Sequence, residues 1–384
     1  MVTLRTIALL GGGQLGRMFI ENALRYNVSI HVLDPDPQAP CARLADRFVV
    51  GDIRDAATVV EFARNADVVG IEIEHVSVEA MDELKRMGIR VIPDPDVLRT
   101  IKDKGLQKEF YRLHGIPSAP FVLIDDRREI EQHNALFPAV LKSRSGGYDG
   151  KGVWILDGID HAIGPGDGPY VLEKRVDIAK ELAVLVVRSA EGAQVVYDPV
   201  EMVFDPRYNL VDHLRAPARI TSDLAHGAQG LAKRVAEAFS APGLYAVELF
   251  LTEQGELLVN ETAPRAHNSG HHTIEACASS QFDQLLRVYM GWPLGDHTLR
   301  EPAAMVNLVG EGGTGNADLV GLRDILHLNG TYPHWYGKPE TRTGRKMGHV
   351  TITAPDQHGL DQGIAVTKIH CKVVPVKGSI INQQ

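Results

Sequence analysis

Two glutamates on a predicted β-hairpin have the residue type and spacing of metal ligands. Glu248 lies in the first strand, and Glu261 ends the second strand directly after Asn260. If residues 253–254 form a two-residue loop, Glu248 pairs with Val259 and shares a face with Glu261, about 7–8 Å away. Such carboxylates suit Mg²⁺, with water or phosphate completing the shell. A three-residue loop would put the glutamates on opposite faces, and a solvated sheet face is the structural alternative.

A glycine-rich segment with three cations is a candidate phosphate-binding loop. Residues 142–152 contain four glycines together with Lys142, Arg144 and Lys151, between two predicted strands. Backbone N–H groups of such a loop can fold over phosphates while Lys142 neutralises their charge. The segment lacks the Gly-Lys-Ser/Thr ending of a P-loop and joins strand to strand, which disfavours a Walker-type site. A plain hairpin without a ligand is the alternative.

The connection after the next apolar strand is open to two interpretations. Residues 173–176 are Glu-Lys-Arg-Val, and Glu181 begins the following strand. Seen alone, such a segment is a solvated strand end. Between two domains, the same backbone could bind an adenine edge while a carboxylate accepts hydrogen bonds from ribose hydroxyls.

The most polar cluster of the chain begins four residues after Glu261. Residues 265–272 are Arg-Ala-His-Asn-Ser-Gly-His-His. Zinc is disfavoured because neither a cysteine nor a His-Glu-x-x-His pattern accompanies the histidines. A serine hydrolase is disfavoured because Ser269 lacks a Gly-x-Ser-x-Gly elbow. Donors at this spacing therefore suit a small oxyanion beside the metal.

Two further segments are candidate anion sites. Gly11, Gly13 and Gly16 form a Gly-x-Gly-x-x-Gly turn between a predicted strand and helix, and Asp34 ends the next strand. Such a turn can bind a dinucleotide or a substrate phosphate, or it can be purely structural. Residues 338–349 hold four fixed cations in a chain of net charge −9. This density favours an anion pocket over a screened surface loop.

The first hundred residues alternate apolar strands with amphipathic helices, which predicts a parallel sheet covered on both faces. A helix is expected over 102–114, and short strands with glycine-rich loops then suggest a small lid. A second helix is expected over 318–326. The predicted domains are an N-terminal Rossmann-like unit over 1–100, a lid region over 101–185, and a C-terminal unit over 186–384 with a β-rich end at about 293–384.

Composition excludes several classes of protein. The chain has 384 residues, 44% of them apolar and only 23% charged, which is typical of a globular protein with real cores. Disorder and a general nucleic-acid surface are therefore disfavoured, and three scattered cysteines suit a reducing compartment. Apolar runs fall short of a membrane span, and the first residues lack a signal-peptide pattern, so we expect a cytoplasmic protein without membrane partners.

Five blocks of sequence in a fixed order carry a family resemblance. They are residues 11–18, 71–76, 146–152, 260–271, and the pair 336–338 with 344–349. In this order they resemble the N5-carboxyaminoimidazole ribonucleotide synthetases, which are ATP-grasp carboxylases of purine biosynthesis. The resemblance implies an α/β ATP-grasp fold with a Rossmann-like N-terminal domain, a small α+β lid and a C-terminal α+β domain. It also implies Mg²⁺, a homodimer, and ATP-dependent carboxylation of aminoimidazole ribonucleotide with bicarbonate through carboxyphosphate.

The same resemblance assigns site residues. Those implied to bind ATP are Arg99, Lys142, Gly147, Tyr148, Asp149, Gly150, Lys151, Gly152, Val153, Glu173, Lys174, Arg175, Val176, Glu181, Asn260 and Glu261. Those implied to contact the ribonucleotide are Gln14, Leu15, Glu72, Glu74, Tyr148, Asp149, His267, Lys338, Arg345 and Lys346. The implied catalytic residues are Asp149, Lys151, Arg265, His267 and Asn268, and the implied metal ligands are Glu248 and Glu261. A histidine expected near ATP aligns with Phe204, beside the insert 205–212.

Three other functions are consistent with parts of this pattern. A different ATP-grasp ligase, such as the formate-using glycinamide ribonucleotide transformylase, would share the ATP half and differ at the acceptor. An oxidoreductase would use the first glycine turn but would leave Glu248, Glu261 and the Lys142 loop without a role. A nucleotide-sensing module would need neither the paired glutamates nor the cluster around His267.

Overall fold

The N-terminal domain is a parallel α/β sheet, as the sequence predicts. The structure is a computed structural model that describes residues 5–146, 152–158, 168–207 and 210–376. A five-stranded parallel sheet has the order β3-β2-β1-β4-β5. Its strands are β1 Thr6–Leu10, β2 Ser29–Asp34, β3 Arg47–Val50, β4 Val68–Ile71 and β5 Arg90–Val91. The helices that cover it are α1 Gln14–Ala23, α2 Ala56–Ala63 and α3 Val78–Arg86.

Two helices replace the single helix expected over 102–114. Helix α4 spans Pro95–Lys102 and helix α5 spans Lys104–Leu113. Asp103 between them has extended backbone, and its side chain accepts hydrogen bonds from the first N–H groups of α5. An aspartate in this N-cap role begins a new helix, so the expectation of one continuous helix is wrong.

A small antiparallel sheet follows. Its four strands have the order β6-β9-β7-β8. They are β6 Phe121–Ile124, β7 Ala139–Ser143, β8 Val153–Leu156 and β9 Tyr170–Lys174, and a 3₁₀ segment spans Arg127–Leu136. Strand β7 lies between β8 and β9. It ends at Lys142 and Ser143, within the glycine-rich segment.

The largest sheet joins the middle of the chain to its C-terminal part. Its main path runs β15-β14-β10-β12-β13-β16-β20-β18, with β11 paired to β10. The strands are β10 Ile178–Arg188, β11 Gln194–Val196, β12 Val200–Asp205, β13 Leu210–Ala216, β14 Gly243–Thr252, β15 Leu257–Ala263, β16 Ala303–Val309, β18 Thr331–Trp335 and β20 Lys346–Thr353. Helices α6 Ser222–Phe239, α7 Thr273–Ala276 and α8 Gln281–Met290 accompany it. The boundary expected after residue 185 falls inside strand β10.

The C-terminal part corrects a second expectation. Residues 315–320 form strand β17, Gly315–Val320, and only α9, Leu322–Ile325, is helical within the helix expected over 318–326. Strand β17 pairs with β19, Glu340–Thr341, and with β21, Lys372–Pro375, so sheet hydrogen bonds outweigh local helical spacing here. Helix α10, Gln357–His370, packs against strands β16 and β20 of the large sheet.

Helix α8 fastens the N-terminal domain to the large sheet. Phe19 of α1 and Phe282 of α8 belong to one buried apolar cluster. A side chain on Gly70 would lie 2.3 Å from the Tyr289 hydroxyl, so only glycine allows this close approach. The Arg90 guanidinium donates to the Tyr289 carbonyl in the last turn of α8. Among the described residues, no helix is long and apolar enough to cross a membrane.

Candidate active site

The paired glutamates face each other through a register that the sequence did not reveal. Strand pairs such as Leu251 with Leu257 and Leu249 with Val259 show a three-residue loop, so the predicted two-residue loop is wrong. A β-bulge then shifts the register, and Glu248 lies directly opposite Glu261. The predicted Glu248–Val259 pair is therefore also wrong, yet the glutamates share a face because the bulge inserts one residue into β15.

The two carboxylates are crowded and partly compensated by one lysine. The Lys104 ammonium forms an ion pair with Glu261, whose side chain remains 42% exposed to the cleft. Burial raises the pKa of Glu248, and the charge of Glu261 raises it further. The Lys104 charge lowers the pKa of Glu261. Two carboxylates this close do not both ionise readily, and a cation bound between them would favour the ionised form of both.

A buried ion cluster adjoins the glutamates. Glu173 at the end of β9 lies 3.0 Å from Lys108 and 3.1 Å from Lys142. Glu173 and Lys108 are each only 3% exposed. The Lys142 ammonium also donates to the Asn260 carboxamide at 2.9 Å, which connects the lid sheet to the bulged strand. Burial raises the pKa of Glu181 to about 7, with Lys142 and Glu261 as its charged neighbours.

The polar cluster forms a tight turn beside the glutamates. A 3₁₀ turn spans Asn268–Gly270. His267, just before it, places Nε2 3.5 Å from a Glu248 oxygen. Burial and the charges of Arg265 and Lys346 lower the pKa of His267 to about 4, so its ring is neutral at pH 7.

The first glycine turn is occupied by the protein's own carboxylates. The Leu15 N–H donates to Glu72 at 3.1 Å, and the Gly12 N–H donates to Asp34 at 2.7 Å. A Cβ atom on Gly13 would lie 2.5 Å from a Glu72 oxygen. Burial raises the pKa of Glu72 to about 7, partly offset by Arg265 and Lys338. The turn therefore seats Glu72 in the cleft, and no phosphate is needed to explain it.

Residues from three parts of the chain lie on the side of the cleft where the resemblance places the ribonucleotide. Arg265 pairs with Glu74 at 2.8 Å. The Lys338 ammonium donates to the Lys346 carbonyl at 2.7 Å. Arg345 donates to the Glu340 carbonyl, and burial lowers its pKa. The charge of Lys346 lowers the pKa values of both Glu248 and His267. The basic segment therefore borders the same cleft as the paired glutamates.

Some predicted residues form ion pairs at the surface or fall outside the described ranges. Arg99 is on the surface of α4, where it pairs with Asp82 and Asp96. Arg175 pairs with Asp157 at the surface. Phe204 lies on β12 at a second bulge. The predicted residues outside the described ranges are Gly147, Tyr148, Asp149, Gly150 and Lys151.

Sequence reasoning missed two lysines that belong to this site. Lys104 and Lys108 are four residues apart on α5, so they share one face of the helix. The sequence signal for these two site lysines was their four-residue spacing directly after the N-cap Asp103. The prediction of a single helix over 102–114 hid this signal, because it did not place a helix start at Asp103.

A layer of neighbouring histidines connects the turn to strands β18 and β20. His271 stacks on His349 with 4.7 Å between ring centroids, and His349 stacks on His334 at 4.3 Å. Tyr336 and His349 share a hydrogen bond of 2.9 Å. Burial lowers the pKa of His272, next to this layer, to about 4. Burial also lowers the pKa values of His271 and His349, so these rings and His272 are neutral at pH 7, and their protonation would oppose folding.

We expect the His272→Gln variant to lose less stability than the wild type as pH falls from 7 to 5. Below the unfolded-state pKa of about 6.5, the unfolded chain binds a proton at His272 that the folded chain rejects. This costs the wild type about 2 kcal/mol by pH 5. Urea denaturation of both proteins at each pH measures the difference. Only the difference is diagnostic, because buried Glu72 and Glu181 have raised pKa values and act in the opposite direction. Equal pH slopes for the two proteins would contradict the prediction.

Comparison with known proteins identifies the family. Three protein-family models match consecutive segments: a ribonucleotide synthetase preATP-grasp domain over 4–102, an ATP-grasp domain over 109–282, and a phosphoribosylaminoimidazole carboxylase C-terminal domain over 303–363. The N5-carboxyaminoimidazole ribonucleotide synthase of Synechococcus elongatus is 36% identical over 90% of this chain and 89% of its own length. The chain belongs to the N5-carboxyaminoimidazole ribonucleotide synthetase family.

Solved structures agree with this assignment. The family member from Thermotoga maritima is 39% identical, with a TM-score of 0.90 over 97% of this chain and 100% of its own. The enzyme from Aspergillus clavatus, solved with ADP and 5-aminoimidazole ribonucleotide, is 32% identical, with a TM-score of 0.87 over 96% of this chain and 99% of its own. The chain spans 66% of the length of the chloroplastic phosphoribosylaminoimidazole carboxylase of Vigna aconitifolia, at 36% identity over 94% of this chain. The expected ATP-grasp fold is confirmed.

Proposed function

We propose that this protein carboxylates 5-aminoimidazole ribonucleotide with bicarbonate and ATP in purine biosynthesis. The products are N5-carboxyaminoimidazole ribonucleotide, ADP and phosphate. Support comes from the family and from the Aspergillus clavatus relative, whose structure contains ADP and the same ribonucleotide. The observation that carries the proposal is the single cleft in which the opposed glutamates Glu248 and Glu261 meet the neutral His267.

The residues of the proposed ATP site fit a nucleotide held with Mg²⁺. Glu248, Glu261 and the Asn260 amide are hard oxygen ligands, and a divalent cation would relieve the repulsion that raises the pKa of Glu248 beside Glu261. Among the described residues, no group of three His, Cys, Asp or Glu side chains is arranged to hold a metal. Two carboxylates therefore need phosphate and water to complete the shell, as Mg²⁺ with ATP provides. When bound, the ion would offset charge on the transferring phosphoryl group.

The chain supplies cations and a hinge around that nucleotide. We assign Lys142 to phosphate neutralisation, residues 173–176 to the adenine edge, and Glu181 to the ribose. Gly152, Val153 and the loop residues before them complete the proposed ATP contacts, together with Arg99, Lys174 and Arg175. Lys104 and Lys108 pair with Glu261 and Glu173, and we assign these two lysines a further role in neutralising the phosphates.

The proposed chemistry has two steps. A bicarbonate oxygen attacks the γ-phosphorus of ATP, which gives carboxyphosphate and ADP, and the exocyclic amine of the ribonucleotide then captures the carboxyl group. We place bicarbonate beside Arg265 and His267, because His267 adjoins Glu248 and both side chains carry donors for an oxyanion. Asp149 is the proposed proton acceptor, and Lys151 is proposed to act in the same step. A closed cleft would protect carboxyphosphate from water.

The ribonucleotide is assigned to the opposite wall of the cleft. Gln14, Leu15, Glu72 and Glu74 come from the N-terminal domain, and the fixed charges for the 5′-phosphate come from the basic segment. The residues proposed for that phosphate are Lys338, Arg345 and Lys346. Tyr148 and His267 would contact the base. Burial keeps Glu72 partly protonated near neutral pH, so it can donate as well as accept a hydrogen bond to the ligand.

Organisation and location complete the proposal. We infer three working units, an N-terminal domain over 1–100, a lid region after it and a C-terminal unit, although strand β10 continues through the lid boundary at residue 185. We also infer a cytoplasmic location, from the sequence pattern described above, and a homodimer, from the likeness to the family.

Release of ADP from MgATP is the decisive assay. We expect it to require both bicarbonate and the aminoimidazole ribonucleotide, with one carboxylated ribonucleotide per ADP. Reactions with formate and glycinamide ribonucleotide, and with NAD, are the controls for the alternative ligase and the oxidoreductase. ADP release that ignores bicarbonate and the ribonucleotide would overturn the carboxylase assignment.

A further inference from the structure

An amide pair connects the turn after His267 to the C-terminal half of the large sheet. The Asn268 carboxamide donates to the Asn307 oxygen at 3.0 Å, and Asn307 donates back to the Asn268 oxygen at 3.0 Å. Asn307 lies on β16 and is only 8% exposed. Two reciprocal hydrogen bonds at a buried position fix both side chains in one orientation.

A third hydrogen bond determines which way the pair faces. The Asn307 amide nitrogen also donates to the Val211 carbonyl of β13 at 2.7 Å. A carbonyl oxygen only accepts, so it fixes the end of Asn307 that carries the NH₂ group. The orientation of Asn268 follows, because its oxygen must accept from that same NH₂ group. Each end of the Asn268 amide is thereby engaged with a protein group.

The turn also contacts strand β20, which neighbours β16 in the large sheet. His271 lies three residues after Asn268 and stacks on His349 of β20. Asn307 and His349 are direct partners across β16 and β20. Residues three apart in a helical turn project to the same side, so the turn meets one cross-strand pair at two points. His267, immediately before this attachment, lies 3.5 Å from Glu248.

We propose that Asn307 is a positioning residue for the carboxylation step, acting through Asn268 to hold His267 and Arg265 at the bicarbonate position. This inference rests on the proposed function and refines it. Asn268 positions the turn, and His267 and Arg265 contact bicarbonate. Lys346, on the same strand as His349, ties the support to the proposed phosphate pocket. The pair therefore aligns the bicarbonate turn with the ribonucleotide.

A double-mutant cycle tests this role. The variants are Asn268→Ala, Asn307→Ala and the combination, with Asn329→Ala at an exposed site of the C-terminal part as the matched control. Each single variant should lower the rate of carboxylated product on the order of 10- to 100-fold, while KM for ATP changes less than about threefold. The combination should match the worse single variant within about threefold, because either change alone breaks the pair.

The ratio of carboxylated product to ADP separates positioning from a loss of folded protein. A misplaced turn leaves ATP cleavage partly intact, so the ratio falls, whereas loss of folded enzyme lowers both products in parallel. Should Asn307→Ala fail to fold, Asn307→Asp preserves the volume and removes the donation to Val211, with the same fall expected. An unchanged ratio, or additive losses dominated by Asn268, would overturn the inference. A wild type that makes no carboxylated product would instead refute the proposed function.

Discussion

Replacing Glu261 with glutamine is expected to lower turnover at least ~100-fold. The change keeps the size of the side chain and removes one of the two charges that face each other across the bulged hairpin. It also leaves Lys104 without its carboxylate partner. ADP release at saturating MgATP, bicarbonate and ribonucleotide measures the effect. Titration with Mg²⁺ should show a higher half-saturating concentration of the ion, because one of its two proposed carboxylate ligands is lost.

The matched control is Glu253→Gln, in the exposed loop of the same hairpin. It removes the same charge from the chain without touching the cleft, and we expect turnover within about twofold of the wild type. Thermal unfolding of both variants checks that each is folded at the assay temperature. Near-normal turnover in Glu261→Gln would remove the metal role from this pair of glutamates.

Replacing Glu173 with glutamine is expected to cost about 3–5 kcal/mol of unfolding free energy. Lys108 and Lys142 would lose the carboxylate that lies between them, and Lys108 is only 3% exposed. A buried ammonium without a counter-ion must either remain charged at a high desolvation cost or release its proton. Urea denaturation followed by circular dichroism gives the free energy directly.

Two further variants place this cost in the buried charge. Glu109→Gln breaks a surface pair with Arg112 on the same helix and should change stability by less than about 1 kcal/mol. Adding Lys108→Met to Glu173→Gln removes the uncompensated cation, and the double variant should be more stable than Glu173→Gln alone. A Glu173→Gln protein as stable as the wild type would show that Lys108 needs no counter-ion.

The sequence predicted the N-terminal sheet well because its central strands, β1 and β4, are short apolar runs buried on both faces. Helices α1 and α3 have a clear amphipathic pattern. The errors occur where distant pairing overrides local spacing. Residues 318–320 were expected to begin a helix but end strand β17, because β19 and β21 offer hydrogen bonds from far along the chain.

The site was predictable in its residue types and less so in its geometry. The pairing of Glu248 with Glu261 depends on a bulge at Asn260, and turn chemistry alone does not reveal a bulge. Asn307 is 39 residues from its partner Asn268, and no periodicity links them. Such contacts arise from how the large sheet folds over the turn, so they could be found only from coordinates.

Conversion of the N-terminal domain into a dinucleotide carrier would have to begin by removing Glu72. Its carboxylate already sits at the start of helix α1, where an incoming pyrophosphate would need to lie, and Asp34 is engaged by the Gly12 N–H. An NAD-like molecule would therefore be repelled by resident negative charge before it reached the glycines. The domain retains the outline of a cofactor carrier, and its own acidic side chains keep such cofactors out.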